Sequence, residues 1–317
     1  MKDIEIKVSD FQEAINKLEP NKACGMDNIF AEDLKFAGNR LAILLSVCFN
    51  AFISHGKLPD GFMAVIISPI IKDKGKSISD MNNYRPISLA SIISKVFERT
   101  LLSKIEHLIL TSDNQFGFKK KTGTDMCLYV LKEMTSSYKR ANSSTFMCFL
   151  DASKAFDKVN HRKLFNKLKQ RKVPMVIIRI LSFWYSNQTM RIRWDGILSK
   201  PFQVTNGVRQ GGIISAFLFN VYMDDLSKKL NSYNIGCFVG NSLINHLLYA
   251  DDLLLISPSA NGLRILLRTC ENYADQFDIT FNPDKSNILI SREKAIKDVP
   301  YKFYINSVQL KEKFKVK

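Results

Sequence analysis

Residues 246–257 read HLLYADDLLLIS: two apolar runs, Leu247-Leu248 and residues 253–256, around a short polar break that holds Asp251 and Asp252. Short continuous apolar runs on both sides of a tight break predict two buried strands joined by a hairpin. Adjacent carboxylates at such a tip raise each other's pKa and are electrostatically costly. A hard cation with oxygen ligands removes that cost, and Mg²⁺ is commonly held by protein carboxylates together with substrate phosphates. Taken alone, the pair is better read as a solvated Asp-Asp turn, so a metal-binding reading requires a third carboxylate elsewhere.

Residues 145–150 (TFMCFL) form a second apolar, strand-like run, and it ends on Asp151 in DASKAFDKVNH. A buried strand that delivers an acid at its end is the same device as the Asp251-Asp252 tip, so three carboxylates converge if the two strands are neighbours. The blocks FLDASKAFD (149–157), GVRQGG (207–212) and YADD (249–252) occur in an order that resembles reverse transcriptases. With NYRPISL (83–89) and QFGF (115–118) included, the wording most resembles the enzymes of non-LTR (LINE-type) retrotransposons. YADD alone is a weak signal; five ordered blocks, spread from about residue 20 to 290, make a specific one.

Composition is compatible with that resemblance. The chain has 317 residues, enough for one large or two smaller lobes, and its hydrophobic share of 46% is ordinary for a globular protein. No apolar run approaches the roughly 20 residues of a membrane span, and the charged opening MKDIEIKVSD lacks a signal peptide's apolar core. The expectation is an intracellular protein, nuclear and cytoplasmic, with no membrane partner. The net charge of +16 suits a phosphate-rich partner, with an anionic membrane or plain solubility as the alternatives. Six scattered cysteines (Cys24, Cys48, Cys127, Cys148, Cys237, Cys270) show no paired zinc spacing and read as reduced, mostly buried thiols.

Along the chain, residues 9–18 predict a short amphipathic helix ended by Pro20, and 30–54 a long helix closed at Gly56. Val65–Ile71 predicts a strand that Pro69 confines to an edge or a bulge, followed by the basic loop KDKGK. Further helices are expected over 90–109, 124–138 and 161–187, the last broken near Pro174. RIRWDG (191–196) and residues 202–205 predict a hairpin, and residues 213–226 and 263–277 helices with apolar stripes. Asp224 and Asp225, late in the first of these, are expected on a solvated face.

The resemblance implies an α+β fold: the fingers and palm of a right-hand polymerase, with an antiparallel palm sheet backed by helices. It divides the chain into an N-terminal helical extension (1–60), mostly fingers (61–144), and palm (145–317) with fingers segments interleaved near 160–205. Relatives continue into a primer-gripping hairpin and a helical thumb, for which the closing LKEKFKVK leaves no room, and an endonuclease domain is also absent. The expected chain is therefore fingers plus palm from a larger polyprotein, with the thumb missing or truncated.

Site residues carry over one by one. Asp151, Asp251 and Asp252 match the catalytic metal ligands, expected to hold two Mg²⁺ ions, with Mn²⁺ as a substitute. Lys72 and Arg85 match cations that contact the triphosphate of the incoming nucleotide, where fixed positive charge stabilises the charge built up in transfer. For Lys72 a solvated basic loop is an equal reading, because Lys74 and Lys76 lie close by. Phe156 matches a bulky residue beside the nucleotide sugar, where a ring collides with a 2′-hydroxyl; plain packing is its alternative. Gln210 and Gly211 match the contact with template base and nucleotide, although many relatives have Asp and Pro where this chain has Gly212 and Ile213. Lys285 matches a lysine near the leaving pyrophosphate, where it could donate a proton as the P–O bond breaks; a bare surface lysine is its alternative. Phe116, Phe118, Lys119 and Lys120 interleave rings and cations as a single-stranded template requires; the two rings serve equally as buried anchors.

The implied function is RNA-directed DNA synthesis. Its partners are an RNA template, a DNA primer and deoxynucleoside triphosphates; no oligomeric state is defined. Two alternatives stay open at this point: a catalytically weak or inactive nucleic-acid-binding remnant, and a mobile-intron reverse transcriptase that shares the palm motifs.

Overall fold

The computed structural model describes residues 4–119, 121–291 and 301–313. The chain forms two compact units, residues 1–110 with 161–218, and residues 111–160 with 219–317. Residues 111–144 fall in the same unit as the Asp151 strand. The long helix Ile213–Ser232 begins in one unit and ends in the other.

In the unit of residues 111–160 and 219–317, the order of strands is Lys311–Glu312, Asn287–Ser291, Thr145–Asp151, Asp252–Ser257, His246–Tyr249. The strand Thr145–Asp151 is central and runs antiparallel to both neighbours. Its residues point alternately to two covered faces. Met147 shares one face with Leu254, Ile256, Leu247 and the helical Met134. Cys148 and Leu255, on the other face, are fully buried, as is Cys270 on the helix Ala260–Phe277. A sheet covered on both sides explains why these strands read as unbroken apolar runs.

The other unit is built on Ala64–Ile71, antiparallel to Tyr84–Ala90 and parallel, through residues 64–67, to Thr189–Trp194. Pro69 therefore sits where the strand has lost its second neighbour, so the edge position expected from the proline holds locally. Its cross-strand partner is Pro86, and neither residue has an N–H to donate to the ladder. Among the helices of this unit, Phe11, Phe49, Phe97 and Trp184 form a continuous aromatic core with successive ring centroids 4.6, 4.6 and 5.7 Å apart.

Two expectations are corrected. The helix expected over 30–54 is two, Ala31–Phe36 and Gly38–His55, broken where Gly38 takes φ +73°, which a residue with a Cβ resists. Asp224 is buried, not solvated: its carboxylate accepts the Ser112 N–H at 2.6 Å and pairs with Lys228 at 2.8 Å. Separately, Tyr304–Ile305 pairs with Val308–Gln309 in a short hairpin around Asn306 and Ser307, both at positive φ.

Candidate active site

Asp251 and Asp252 arise from the geometry of a two-residue hairpin loop. Tyr249 pairs with Asp252, leaving Ala250 and Asp251 as the loop. The first position of such a loop takes positive φ in both common hairpin turns. Ala250 does so, at φ +58°, although the left-handed region costs a residue with a Cβ about 1–2 kcal/mol.

On the other side of the same strand, Asp252 lies directly opposite Asp151. Directly opposed residues in an antiparallel pair share a face, with Cβ atoms about 4.5–5.5 Å apart. Lys285 completes the row: its Nζ lies 3.9 Å from the Asp151 carboxylate, just beyond the strand Asn287–Ser291 that pairs with Thr145–Asp151. The apolar face of the sheet thus ends in a polar row of Lys285, Asp151, Asp252 and Tyr249, with Asp251 in the adjoining turn. Partial burial, and then the facing Asp151, push the Asp252 carboxyl above the usual carboxylate range. The Asp151 backbone is anchored by its N–H to Ser286 Oγ at 3.1 Å and by its carbonyl to the Asn282 N–H at 2.8 Å.

Phe156 lies in a short turn of helix (Phe156–Lys158) after the Asp151 strand. Its ring stacks on Phe219 at 4.4 Å with 12° between planes, and Phe118 meets it edge-on at 6.3 Å. The ring is therefore packed on its neighbours while the residue stays half-buried. The QFGF block divides. Phe116 is buried in the core beside Met134 and Leu247, which makes it an anchor and removes its ring from template stacking. Phe118 is 46% exposed. Lys119 is half-buried and donates to the carbonyls of Thr111 and Ser112, and burial lowers its pKa. Its ammonium is thus committed within the fold. Lys120 lies outside the described residues.

The remaining predicted residues belong to the other unit. The Gln210 carbonyl accepts the Ser88 N–H at 2.8 Å, which lays GVRQGG along the NYRPISL strand. Gly211 has φ +103°, and a Cβ there would stand 3.1 Å from Ser88 O, so both conformation and space call for glycine. Arg85 is exposed on that strand, opposite Ile70. Lys72, at the end of the neighbouring strand, donates its ammonium to Asn82 O at 2.9 Å. Behind the loop, the fully buried Glu98 pairs with Arg209 and accepts the Ile213 N–H at 2.5 Å, while Arg209 lies 4.7 Å over the Trp184 ring. That buried pair ties GVRQGG to the start of the helix Ile213–Ser232.

The family described as "Reverse transcriptase (RNA-dependent DNA polymerase)" matches residues 71–309. The chain belongs to that family. This reverse transcriptase domain is 27% identical over 310 residues to the RNA-directed DNA polymerase from mobile element jockey of Drosophila funebris, covering 93% of this chain and 32% of the relative. It is 28% identical over 295 residues to the probable RNA-directed DNA polymerase from transposon BS of Drosophila melanogaster, covering 89% and 32%. These relatives are of the non-LTR type that the motifs resemble, and the chain spans about a third of their length. Among solved structures, apo telomerase from Candida tropicalis, truncated from its C-terminal domain, matches with a TM-score of 0.55 at 12% identity. That match covers 84% of this chain and 58% of the other. It bears on the fold, an α+β fingers-and-palm polymerase.

Reverse transcriptases work with divalent ions. As the side chains stand, no three Asp, Glu, His or Cys residues among those described form a ready ligand cluster. The donor set of Asp151, Asp251 and Asp252 nonetheless suits a hard cation: all oxygen, anionic, on one end of one sheet, with the Asp151 side chain 36% exposed. The Asp252 carboxyl is raised by burial first and by the facing Asp151 second, and a cation held there would offset both.

Sequence reasoning passed over Arg191 and Arg193. Arg191 pairs with Ile66, and Ile66 and Ile70 alternate on the sheet face that also carries Arg85. Arg193, two residues on, projects to the same side. The alternation in RIRW was the available signal, but it gains meaning only once the parallel pairing of residues 64–67 with 189–192 is known.

Proposed function

We propose that this chain carries out RNA-templated DNA synthesis, in which a primer 3′-hydroxyl attacks the α-phosphate of a deoxynucleoside triphosphate and pyrophosphate leaves. Asp151, Asp251 and Asp252 hold two Mg²⁺ ions. Those ions supply Lewis-acid stabilisation of the attacking and leaving oxygens. Arg85 faces the triphosphate as a fixed cation, with Lys72 as an auxiliary one. Gln210 and Gly211 bear on the template base and nucleotide. Lys285, whose ammonium lies 3.9 Å from the Asp151 carboxylate, gives a proton to the departing pyrophosphate. Phe156 closes the space beside the sugar C2′. We assign residues 61–110 with 161–218 to fingers and the rest after residue 110 to palm.

The observation that carries this reading is the strand register that sets Asp151 against Asp252, with Asp251 in the adjoining turn, in a reverse transcriptase domain. Primer extension on an RNA template with purified protein, Mg²⁺ and deoxynucleotides tests it. Template-dependent extension is expected, and binding of the primer–template without any extension contradicts it. Replacing Phe156 with Val is expected to raise ribonucleotide incorporation at least tenfold relative to deoxynucleotide incorporation. An unchanged sugar preference would return that ring to packing alone.

A further inference from the structure

The QFGF block approaches the acidic hairpin from its open edge. Gln115 forms a bridge to Leu248, the Phe116 N–H donates to Leu248 O at 2.8 Å, and the Leu248 N–H donates to Asn114 O at 2.8 Å. This rung brings the Gln115 side chain, 2% exposed, against the loop residue Ala250. Its Oε1 accepts the Ala250 N–H at 3.1 Å and the Gly117 N–H at 2.8 Å, and its Nε2 faces Ala250 O at 3.5 Å. One amide therefore spans both main-chain polar groups of the residue that precedes Asp251. Packing there is tight enough to exclude a side chain: a Cβ on Gly117 would stand 2.5 Å from Ala250 N. Asn220 closes the arrangement by donating to Gly117 O at 2.8 Å.

Ala250 needs such support. It holds a left-handed conformation that Gly takes freely and Ala resists. A hairpin loop that relaxed from this conformation would re-aim Asp251 and Asp252 together, because both follow it directly in the chain. Buried, fully engaged polar groups are the usual means by which a fold maintains a costly local geometry. We propose that Gln115 is a positioning residue for the acidic corner: it locks Ala250 in its left-handed turn and so aims the Asp251 and Asp252 carboxylates at the ions. The inference rests on the metal-binding reading of those acids.

The test compares Gln115→Met, which retains length without hydrogen bonds, and Gln115→Asn, which withdraws the amide by one methylene, each with and without Ala250→Gly. In ion-free protein, amide hydrogen exchange at Ala250 is expected to accelerate at least tenfold in both single variants, with Leu254 and Leu255 unchanged. In primer extension, kcat is expected to fall tenfold or more and the Mg²⁺ concentration for half-maximal rate to rise several-fold, with the deoxynucleotide KM within twofold. Adding Ala250→Gly should restore most of kcat, since glycine holds the turn without the clamp. Unchanged exchange at Ala250, wild-type Mg²⁺ dependence, or no rescue by glycine would overturn the proposal. Asp251→Asn serves as the separate control: if it extends primers normally, the metal reading fails, while the exchange result still reports on the clamp.

Discussion

At the scale of single residues, the acidic corner is held at a cost to the fold. The Asp252 carboxyl is raised in the folded state by partial burial and by Asp151, so its ionised form is disfavoured there relative to the unfolded chain. A carboxyl raised in this way stabilises the fold only below its unfolded pKa of about 3.9, and that contribution disappears as pH rises through the folded value. Asp252→Asn is therefore expected to melt higher than wild type at pH 7.5 in chelator, with the advantage shrinking toward pH 4 and diminishing in Mg²⁺. Thermal unfolding in the two buffers checks it; a variant melting below wild type in chelator contradicts it. His246 gives a second, independent prediction. It is fully buried, its Nδ1 donates to Asn245 Oδ1 at 2.6 Å, and its Nε2 accepts from Ser227 at 2.7 Å, a pairing that suits the neutral ring. Burial pushes its pKa down to about 3. The unfolded ring, with a pKa of about 6.5, takes up a proton that the folded ring refuses, so stability is complete above pH 6.5 and falls as pH drops toward 3. Between pH 7.5 and 5 this one residue should account for a loss of about 2 kcal/mol. Urea unfolding of wild type and His246→Gln at both pH values measures it: the variant's pH-dependent loss should be smaller by that amount.

At the scale of elements, strand register achieves what sequence proximity cannot. Asp151 and Asp252 lie far apart in the chain and meet because one pairing sets them opposite. The same logic places Arg85, Arg191 and Arg193 on one sheet face. A face with three guanidinium groups suits a phosphate backbone, and Arg191→Ala with Arg193→Ala is expected to weaken RNA binding across sequences. The slope of log affinity against log salt should flatten by about 1 for each phosphate that is no longer neutralised, measured by titration at several salt concentrations. An unchanged slope excludes both arginines from the interface. Much of this level was legible beforehand. The hairpin at 246–257, the Asp151 strand, the helix break near Pro174 and the stripe along residues 213–226 follow from local period and turn chemistry. The burial of Phe116, the inward turn of Asp224 and the clamp on Ala250 were not legible. Each depends on which distant segment covers a face, and a ring or a carboxylate reads the same in sequence whether it is covered or bare. The split at Gly38 was also missed, since a single glycine inside an apolar helical pattern is often tolerated.

At the scale of the whole molecule, four alternating stretches of chain build two units, each with its own sheet. No helix among the described residues is long and apolar enough to cross a membrane, and the chain carries a net charge of +16. Such an excess favours a polyanionic partner held in a salt-dependent way. The reverse transcriptase family membership, the register of the acidic row and the basic sheet face all support the proposed polymerase reading, in which acids distant in sequence share one end of one sheet. Its central claim is that Asp151 and the Asp251-Asp252 turn act as one ion-holding unit. Primer extension on an RNA template by Asp151→Asn, set beside Asp251→Asn at equal primer–template occupancy, tests this most directly. The account predicts that each substitution alone reduces the rate at least a thousandfold while nucleic-acid affinity stays within a few-fold of wild type. Extension by Asp151→Asn at a rate near wild type would contradict it.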